Sequence, residues 1–242
     1  MLKPGIGVLA DGVRFVLPSR SAPSVRLCLF DEEGENQRAE YPLQPADDGI
    51  FHVTVAGIGA GIRYGFRAEG PWRPSHGLWF DPDKLLMHPL ATRIDRPWRQ
   101  DPRLATPRGS GFDTAPLVPK AIVEDLRIAE VPAPVFDEGG LIYEINVRGF
   151  SMLHPDIPPA ERGTVAALRH PSVIAHLKGL GVNAVELMPV VAWIDERHLP
   201  PLGLTNAWGY NPVTLMAPDP RLAPGGIADL RETVEALREE NI

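Results

Sequence analysis

The chain has 242 residues with a formal net charge of −7, and 44% of the residues are hydrophobic and 23% charged. This composition is typical of a globular protein that can bury a sizeable core. Acidic charge without a run of Lys or Arg argues against nucleic acid as a partner. No apolar stretch approaches the roughly 20 residues that span a membrane, so no membrane partner is expected either.

The cysteine content bears on the cellular compartment. Cys28 is the one cysteine of the sequence, so it cannot form an internal disulfide, and this favours a reducing environment. Its place in the alternating run VRLCLF indicates a small buried side chain rather than a reactive thiol. The amino-terminal MLKPGIGVLADG lacks the apolar core of a signal peptide. A cytoplasmic location is therefore expected.

Residues 1–110 have the pattern of a β-domain. Apolar and polar residues alternate in GVRFVLP, SVRLCLF, VTV and IRYGFRA, and Gly and Pro occupy the gaps between these runs. Short strands at this spacing predict an immunoglobulin-like antiparallel β-sandwich over residues 1–110. Residues 111–140 contain many prolines and little periodicity, and are predicted to be a connecting segment.

From residue 141 the periodicity changes. LIYEINV (141–147) is predicted to be a strand, a helix begins at Pro171, VNAVELMPV (182–190) is a strand buried on both faces, and a second helix begins near residue 226. Strands that alternate with helices predict a parallel sheet. Because two parallel strands need neighbours at their edges, this region is predicted to be the first β–α–β–α quarter of a (β/α)8 barrel. The chain therefore looks truncated. Residues 141–242 would be the start of the barrel domain, and the remainder of that domain is expected in the same full-length protein.

The connection from Pro189 to Gly226 has no clear periodicity. Loops longer than roughly 12–15 residues are usually functional or disordered, and in a barrel this loop would lie on the carboxyl face, where active sites are built. It contains the run AWGYNP (207–212). Trp208 and Tyr210 either stack on sugar rings or pack into the core and fix the loop to the barrel. Packing is favoured for Trp208, and composition does not decide for Tyr210.

Polar side chains in the same loop suit a hydroxylated ligand. Sugars present apolar C–H faces and many hydroxyls, so aromatic rings beside amides and carboxylates are the groups that bind them. Asn206, Asn211 and His198 supply such groups, together with Asp195 and Glu196. The other interpretation of this charged cluster is a solvated loop surface.

Two further carboxylates, Glu144 and Glu186, lie on the two predicted parallel strands. Glycoside hydrolysis needs a pair of carboxylates, but both residues lie within their strands rather than at the carboxyl ends, and a structural network is favoured. The seven histidines do not pair at metal-binding spacing, and no glycine-rich phosphate loop is present. Neither a metal nor any other cofactor is expected.

Three segments of the second half carry a resemblance to a known family: LIYEINVRGFSMLHPDIPPAERGT (141–164), HLKGLGVNAVELMPV (176–190) and GLTNAWGYNPVTLMAPDPRLAPGG (203–226). They resemble the bacterial glycogen debranching enzymes, which are isoamylase-type members of glycoside hydrolase family 13 in the α-amylase superfamily. In the first half, VRLCLFDEEGE, RYGFRAEGPW and FDPDKLLMHPLA are similar to a family 48 carbohydrate-binding module.

The resemblance implies an enzyme that hydrolyses α-1,6-glucosidic branch linkages of glycogen or related α-glucans by the retaining mechanism. It also implies that the catalytic Asp, Glu and Asp lie beyond residue 242, so this chain alone is expected to be inactive. Tyr210 matches the tyrosine of the family's WGY motif, which lines the subsite of the scissile sugar. Trp208, Asn211 and His198 are the other candidate substrate-binding residues.

The sequence departs from the family pattern at a few positions, and other functions stay open. Asn146 stands where histidine is common in YExHVRG, and His88 and Leu90 replace the usual Asp and Tyr of KLLLDPYA. The alternatives are a non-catalytic α-glucan-binding fragment, another family 13 enzyme such as a maltooligosyltrehalose trehalohydrolase or a branching enzyme, and a truncated product without function.

Overall fold

A computed structural model describes residues 2–126, 132–136 and 138–242. Their strands are β1 (Gly5–Val8), β2 (Gly12–Pro18), β3 (Ser24–Phe30), β4 (Gln37–Pro42), β5 (Gln44–Ala46), β6 (Ile50–Ala56), β7 (Arg63–Glu69), β8 (Trp72–Arg73), β9 (Leu78–Trp79), β10 (Ala121–Ile122), β11 (Leu141–Ile145) and β12 (Val182–Leu187). The α-helices are α1 (Val147–Ser151), α2 (Pro171–Gly179) and α3 (Ile227–Glu239). Short 3-10 helices lie at Asp47–Gly49, Pro74–His76, Pro102–Ala105, Val165–Arg169 and Pro200–Leu202.

The first half is an antiparallel β-sandwich, as predicted. One four-stranded sheet has the order β1-β2-β6-β5, and the other has the order β10-β7-β3-β4. Alternating apolar residues of both sheets meet in one core, to which Phe15 contributes from the first sheet and Leu27, Tyr64 and Phe66 from the second. The ring of Tyr64 packs edge-on against both Phe15 and Phe66. Each sheet therefore covers the apolar face of the other.

The segment 111–126, which the sequence analysis assigns to the connecting segment, packs on this sandwich. Strand β10 pairs with β7 through Ala121 and Tyr64. Ala115 and Val118 pack against Cys28, which is buried as predicted. Burial raises the pKa of the Cys28 thiol to about 11. Residues 127–131 and 137 of the predicted connecting segment lie outside the described residues.

The second half has the predicted order of strands and helices. Strands β11 and β12 are parallel, with Glu144 opposite Glu186 in the register. Pro171 is the first residue of α2, where a missing N–H costs nothing. The strand predicted over 141–147 ends early, at Ile145, because the Asn146 side chain accepts a hydrogen bond of 2.8 Å from the Gly149 N–H and begins helix α1 there.

The apolar sequence of β12 predicts burial on both faces, and this prediction is wrong for the chain as described. Among the described residues, β11 and β12 pair with each other and form a two-stranded sheet. Without further strands, Leu141 and Ile142 of β11 are exposed, and so are the side chains of Asn183 and Glu186 in β12. Among the described residues, no helix is long and apolar enough to cross a bilayer.

The two halves pack against each other through the loop that follows β12. The Thr214 hydroxyl lies 3.1 Å from the Pro89 carbonyl oxygen, and the Leu215 N–H donates to the same oxygen. A small apolar cluster joins Ile94 to Ala192 and Ala217. These contacts fix the long loop on the edge of the sandwich.

Candidate functional site

A buried tryptophan anchors the long loop between β12 and α3. Trp193 is 6% exposed, and its indole Nε1–H donates to the Asn206 carbonyl oxygen at 3.2 Å. The Arg221 guanidinium lies over the ring, 3.8 Å from its centroid. Arg221 is itself held by two 2.8 Å hydrogen bonds to the buried carboxylate of Asp219. A cation–π stack of this kind orders the base of the loop.

Asn206 shapes the turn that carries the two exposed aromatic residues. Its side-chain oxygen accepts hydrogen bonds from the backbone N–H groups of Trp208 at 2.9 Å and Gly209 at 2.8 Å. Its amide donates to Glu196 at 3.0 Å, and its own N–H donates to Asp195 at 2.7 Å. Asparagine is suited to this role because it has a donor and an acceptor on one side chain.

The turn also requires glycine at its centre. Gly209 has φ of 80°, a left-handed conformation that other residues adopt at a cost. A Cβ atom added there would lie 3.0 Å from the Pro189 carbonyl oxygen. The backbone of the turn is therefore packed directly on the end of the segment that follows β12.

Trp208 and Tyr210 are both displayed to solvent by this turn. Trp208 is 65% exposed and Tyr210 is 61% exposed, and their rings meet edge to face with centroids 6.4 Å apart. The interpretation of Trp208 as core packing is therefore wrong for this chain, because Trp193 occupies the buried position instead. The exposed pair forms an apolar surface beside polar backbone and amide groups, which is the arrangement that binds sugar rings.

A cleft of about 250 Å³ opens beside Trp208. The Asn146 amide crosses to the loop and donates to the Ala207 carbonyl oxygen at 3.0 Å. Tyr210 does not line this cleft and lies next to it. The residues that line it are Asn146, Val147, Arg148, Met188, Pro189, Trp193, Thr205, Asn206, Ala207, Trp208, Arg221 and Leu222.

The other two predicted substrate-binding residues lie elsewhere. Asn211 is half-buried and is bonded to Ile194 twice, through its amide at 2.9 Å and its carbonyl oxygen at 3.1 Å. It lines a second cavity on the far side of the loop. His198 is exposed and lines neither cavity. The structure thus brings together Trp208 and Tyr210, but not Asn211 or His198.

Glu144 and Glu186 are neighbours, as expected for adjacent strands, and both side chains are exposed. Neither lines the cleft beside Trp208. Within residues 2–126, 132–136 and 138–242, no three His, Cys, Asp or Glu side chains cluster in a way that could hold a metal ion.

Comparison with known proteins identifies relatives of both halves. The family model of carbohydrate-binding module 48, described as the isoamylase N-terminal domain, matches residues 4–91. The glycogen debranching enzyme of Cronobacter sakazakii is 40% identical over 253 residues, covering 99% of this chain and 37% of that enzyme. That of Yersinia pseudotuberculosis is 42% identical and covers 94% of this chain and 35% of the enzyme. Over nearly its whole length, this chain is similar to part of these glycogen debranching enzymes.

The resemblance seen in the sequence is therefore confirmed, and the chain spans little more than a third of these curated relatives. Solved structures share its fold. The catalytic module of the pneumococcal glycogen-degrading virulence factor SpuA matches with a TM-score of 0.75 at 20% identity, covering 100% of this chain and 36% of that one. The Group B Streptococcus pullulanase SAP, in complex with maltotetraose, matches with a TM-score of 0.69 at 20% identity, over 100% of this chain and 32% of that one.

Reasoning from the sequence missed Arg221 and Asn146, which line the cleft, and Asp219, which holds Arg221. Arg221 and Asp219 lie in the run APDPRL, which reads as an ordinary loop because a pair two residues apart has no periodic signal. Asn146 stood out as a departure from the family pattern, but its bond to the Ala207 carbonyl oxygen joins segments 61 residues apart. A contact of that range has no signature in a single sequence.

Proposed function

We propose that this chain is part of a glycogen debranching enzyme that hydrolyses α-1,6-glucosidic branch linkages in glycogen or related α-glucans. The observation that carries the proposal is the 40–42% identity to glycogen debranching enzymes over 94–99% of the chain, which includes the loop with the exposed aromatic pair. A reducing compartment, favoured by the single cysteine, makes the cytoplasm the proposed location. The second half is proposed to be the start of a (β/α)8 barrel.

The proposed reaction proceeds with retention through a covalent glycosyl-enzyme intermediate. Retention requires two carboxyl groups roughly 5–5.5 Å apart, one as nucleophile and one as acid and then base. By resemblance, these groups lie in the part of the enzyme beyond residue 242. Glu144 and Glu186 are not proposed for these roles, because they lie outside the cleft beside Trp208.

The contribution of this chain to the site is an aromatic surface. We assign Tyr210 to the floor beneath the sugar at the cleavage point, with Trp208 forming the adjacent wall of the cleft. An aromatic ring there removes apolar C–H surface from water in both the ground and transition states. Its electron-rich face also favours the positive charge of the oxocarbenium-like transition state. The second effect alone raises kcat.

The test is kinetics on a branched oligosaccharide with the full-length enzyme. Tyr210→Ala is expected to lower kcat as well as affinity, with a loss in transition-state binding on the order of 2–4 kcal/mol. Tyr210→Phe, which keeps the ring, is the matched control and should lose far less. If Tyr210→Ala left kcat/KM within about twofold of the parent, the stacking role would be rejected.

The 242-residue chain made alone is proposed to hydrolyse no glucan, because it contains none of the proposed catalytic carboxylates. Reducing-end release from glycogen above a buffer blank, with contaminating amylase excluded, would contradict this.

A second candidate function is α-glucan binding without catalysis, and one surface of the sandwich favours it. Trp72 and Trp79, on the β8–β9 hairpin, are 40% and 63% exposed and pack edge to face with centroids 5.5 Å apart. They lie within the residues that match the carbohydrate-binding module. If this surface binds glucan, the Trp79→Ala variant should bind less strongly to a glycogen resin than the unaltered chain does.

A further inference from the structure

Two asparagines from separate segments of the chain hold the aromatic turn. Asn146 follows strand β11, and its amide donates to the Ala207 carbonyl oxygen at 3.0 Å. Asn206 lies on the loop itself, and its side-chain oxygen accepts from the N–H groups of Trp208 at 2.9 Å and Gly209 at 2.8 Å. Both asparagines are half-buried and line the cleft beside Trp208. Three consecutive residues of the turn are therefore fixed by two side chains.

Each polar atom of Asn206 has a partner. Its backbone N–H donates to the Asp195 carboxylate at 2.7 Å, and its carbonyl oxygen accepts from the Trp193 indole N–H at 3.2 Å. Its amide nitrogen donates to the Glu196 carboxylate at 3.0 Å, while its side-chain oxygen holds the turn. A polar network that is satisfied in this way is rigid. Glu196 therefore fixes the orientation of the Asn206 amide, and through it the orientation of the turn.

Asn146 joins the turn to the body of the second half. Its side-chain oxygen accepts from the Gly149 N–H at 2.8 Å and begins helix α1. Its amide nitrogen is the end that bonds to Ala207. The oxygen and the nitrogen belong to one planar amide, so a rotation that breaks one bond also breaks the other. The position of the turn relative to β11 and α1 is set by this amide.

The rings of Trp208 and Tyr210 depend on the backbone of the turn for their position. Both are mostly exposed, at 65% and 61%, and they contact each other edge to face. Exposed side chains gain little from packing, so the course of the backbone sets where these rings lie. A misplacement of about 1 Å in an active site can lower a rate by roughly 10²-fold. The groups that fix residues 207–209 therefore bear on catalysis as well as on folding.

We propose that Asn146 and Asn206 are positioning residues for the proposed hydrolysis, because they set where the rings of Trp208 and Tyr210 lie beside the sugar. The proposal rests on the proposed function for the reaction, and on the hydrogen bonds above for the two residues. Neither asparagine is assigned a contact with the substrate. Each acts through the backbone of the turn, and Glu196 acts through Asn206.

The first test is kinetics of the full-length enzyme on a branched oligosaccharide. Asn206→Asp keeps the size of the side chain and its acceptor oxygen, but it places a second carboxylate against Glu196. We expect kcat/KM at pH 7 to fall about tenfold, mostly through kcat, because the two charges repel and displace the turn. Adding Glu196→Gln puts a donor opposite the new acceptor, so the double variant should return to within about threefold of the parent. Glu196→Gln alone, which still accepts from the Asn206 amide, should also stay within about threefold.

Asn146→Asp tests the other side of the turn. Aspartate begins a helix as well as asparagine does, so the bond from Gly149 is kept and the donor to Ala207 is lost. The expected fall in kcat/KM is about threefold to tenfold, the effect of one neutral hydrogen bond. Asn183→Asp is the matched control. Asn183 is an exposed residue of β12 whose side-chain oxygen accepts from the Leu141 N–H at 3.0 Å, a bond that aspartate also makes. It adds the same charge outside the cleft and should change kcat/KM less than about twofold.

A positioning residue loses its effect when the ring that it positions is absent. In a Tyr210→Ala background, Asn206→Asp should therefore lower kcat/KM by no more than about threefold. An undiminished loss in that background would overturn the proposal, because Asn206 would then act on the fold as a whole. Failure of Glu196→Gln to restore the Asn206→Asp variant would overturn it too, and so would a loss in Asn183→Asp equal to that in Asn146→Asp.

A second measurement separates this proposal from the proposed function. NMR of the 242-residue chain reports the indole N–H of each of its five tryptophans, and Trp208→Phe assigns the Trp208 signal by its loss. That signal should shift in Asn146→Asp and in Asn206→Asp and stay in place in Asn183→Asp. These shifts in an enzyme that leaves branch linkages uncut would overturn the proposed function and keep the two asparagines as the groups that position the turn. A parent enzyme that cuts branches, with an unmoved Trp208 signal in both variants, would overturn the positioning role alone.

Discussion

The two halves of the chain differ in how they bury their apolar surface. In the sandwich, each sheet covers the inner face of the other, and residues such as Phe15 and Leu27 are fully buried. In the second half, the two-stranded sheet has solvent on faces that its sequence makes apolar, and Leu153 and Leu215 are 91% and 65% exposed. The half with the candidate site is thus the one with the less complete core.

This difference shows where the order of the candidate site originates. The aromatic turn is held by local groups, chiefly Trp193, Asn206 and the Arg221–Asp219 pair. It is also held at its base by the sandwich, through Thr214 and the Pro89 carbonyl oxygen. The loop is therefore pre-formed, although in the described part of the chain β11 and β12 beside it have no further strands paired to their outer edges. Pre-organisation of this kind reduces the entropy cost of binding.

The largest effect should come from separating the halves. Residues 1–126 expressed alone are expected to be monomeric and to unfold cooperatively, since their two sheets bury each other. Residues 141–242 alone are expected to aggregate or to lack a cooperative transition, because apolar side chains such as Leu141, Ile142 and Leu153 are already exposed and large exposed apolar patches promote association. Size-exclusion chromatography and thermal melts of both pieces test this. A sharp melt of a monomeric 141–242 piece would show that the second half needs no neighbour.

The second test asks which tryptophan stabilises the loop. Trp193→Ala should lower the free energy of unfolding of the 242-residue chain by roughly 3–5 kcal/mol, because it empties a buried aromatic position and leaves the stack of Arg221 without its ring. Trp208→Ala, the matched control on the same loop, removes an exposed ring and should cost less than about 0.5 kcal/mol. Urea unfolding of both variants gives the comparison. Equal losses would mean that Trp208 is buried in solution.

A third test uses pH to weaken the sandwich at His88, whose ring packs against Tyr64 and Phe66. His88 is fully buried beside Tyr64, whose hydroxyl lies 3.0 Å from its Nδ1, and burial lowers the pKa of His88 from 6.5 to about 4. As pH falls below 6.5 the unfolded chain gains this proton and the folded chain does not, so the free energy of unfolding falls. The loss should reach about 3 kcal/mol by pH 4.

The variant His88→Gln isolates this contribution, because glutamine keeps a partner for Tyr64 without titrating. Its free energy of unfolding should fall less between pH 6.5 and 4 than that of the unaltered chain, by about the same 3 kcal/mol. If the His88→Gln slope matched that of the unaltered chain, the pKa of His88 would be the same in the folded and unfolded chains.

Sequence reasoning succeeded where a local pattern reports a local structure. Alternation in GVRFVLP and SVRLCLF predicts β2 and β3, and Pro171 predicts the start of α2, because each pattern is set by residues near in the chain. It failed for β12, since burial depends on partners and not on the strand itself. It also failed for Trp208, because composition does not show which of two tryptophans in one loop reaches the core.

The same limit applies to the candidate site. Tyr210 and Trp208 were found from their place in a long loop, and the structure brings them together. Asn211 and His198 share that loop and its polarity, yet the first is bonded to Ile194 and the second lies outside both cavities. The turn at Asn206 distinguishes Trp208 and Tyr210 from Asn211 and His198. Such a turn depends on hydrogen bonds that composition does not reveal.

The smallest effect distinguishes two glycines of the long loop. Gly203 and Gly209 both have left-handed backbones, with φ of 70° and 80°. A Cβ at Gly203 would meet nothing within 4 Å, whereas one at Gly209 would lie 3.0 Å from the Pro189 carbonyl oxygen. Gly203→Ala should therefore cost only the conformational penalty of about 1 kcal/mol. Gly209→Ala should cost more, about 2 kcal/mol, because backbone atoms must also move apart.

Urea unfolding measures both costs, and the indole signal of Trp208 should shift in the Gly209→Ala variant alone. Equal costs and an unmoved Trp208 signal would mean that the aromatic turn is not packed on Pro189, and that its order comes from Asn206 without support from the segment after β12.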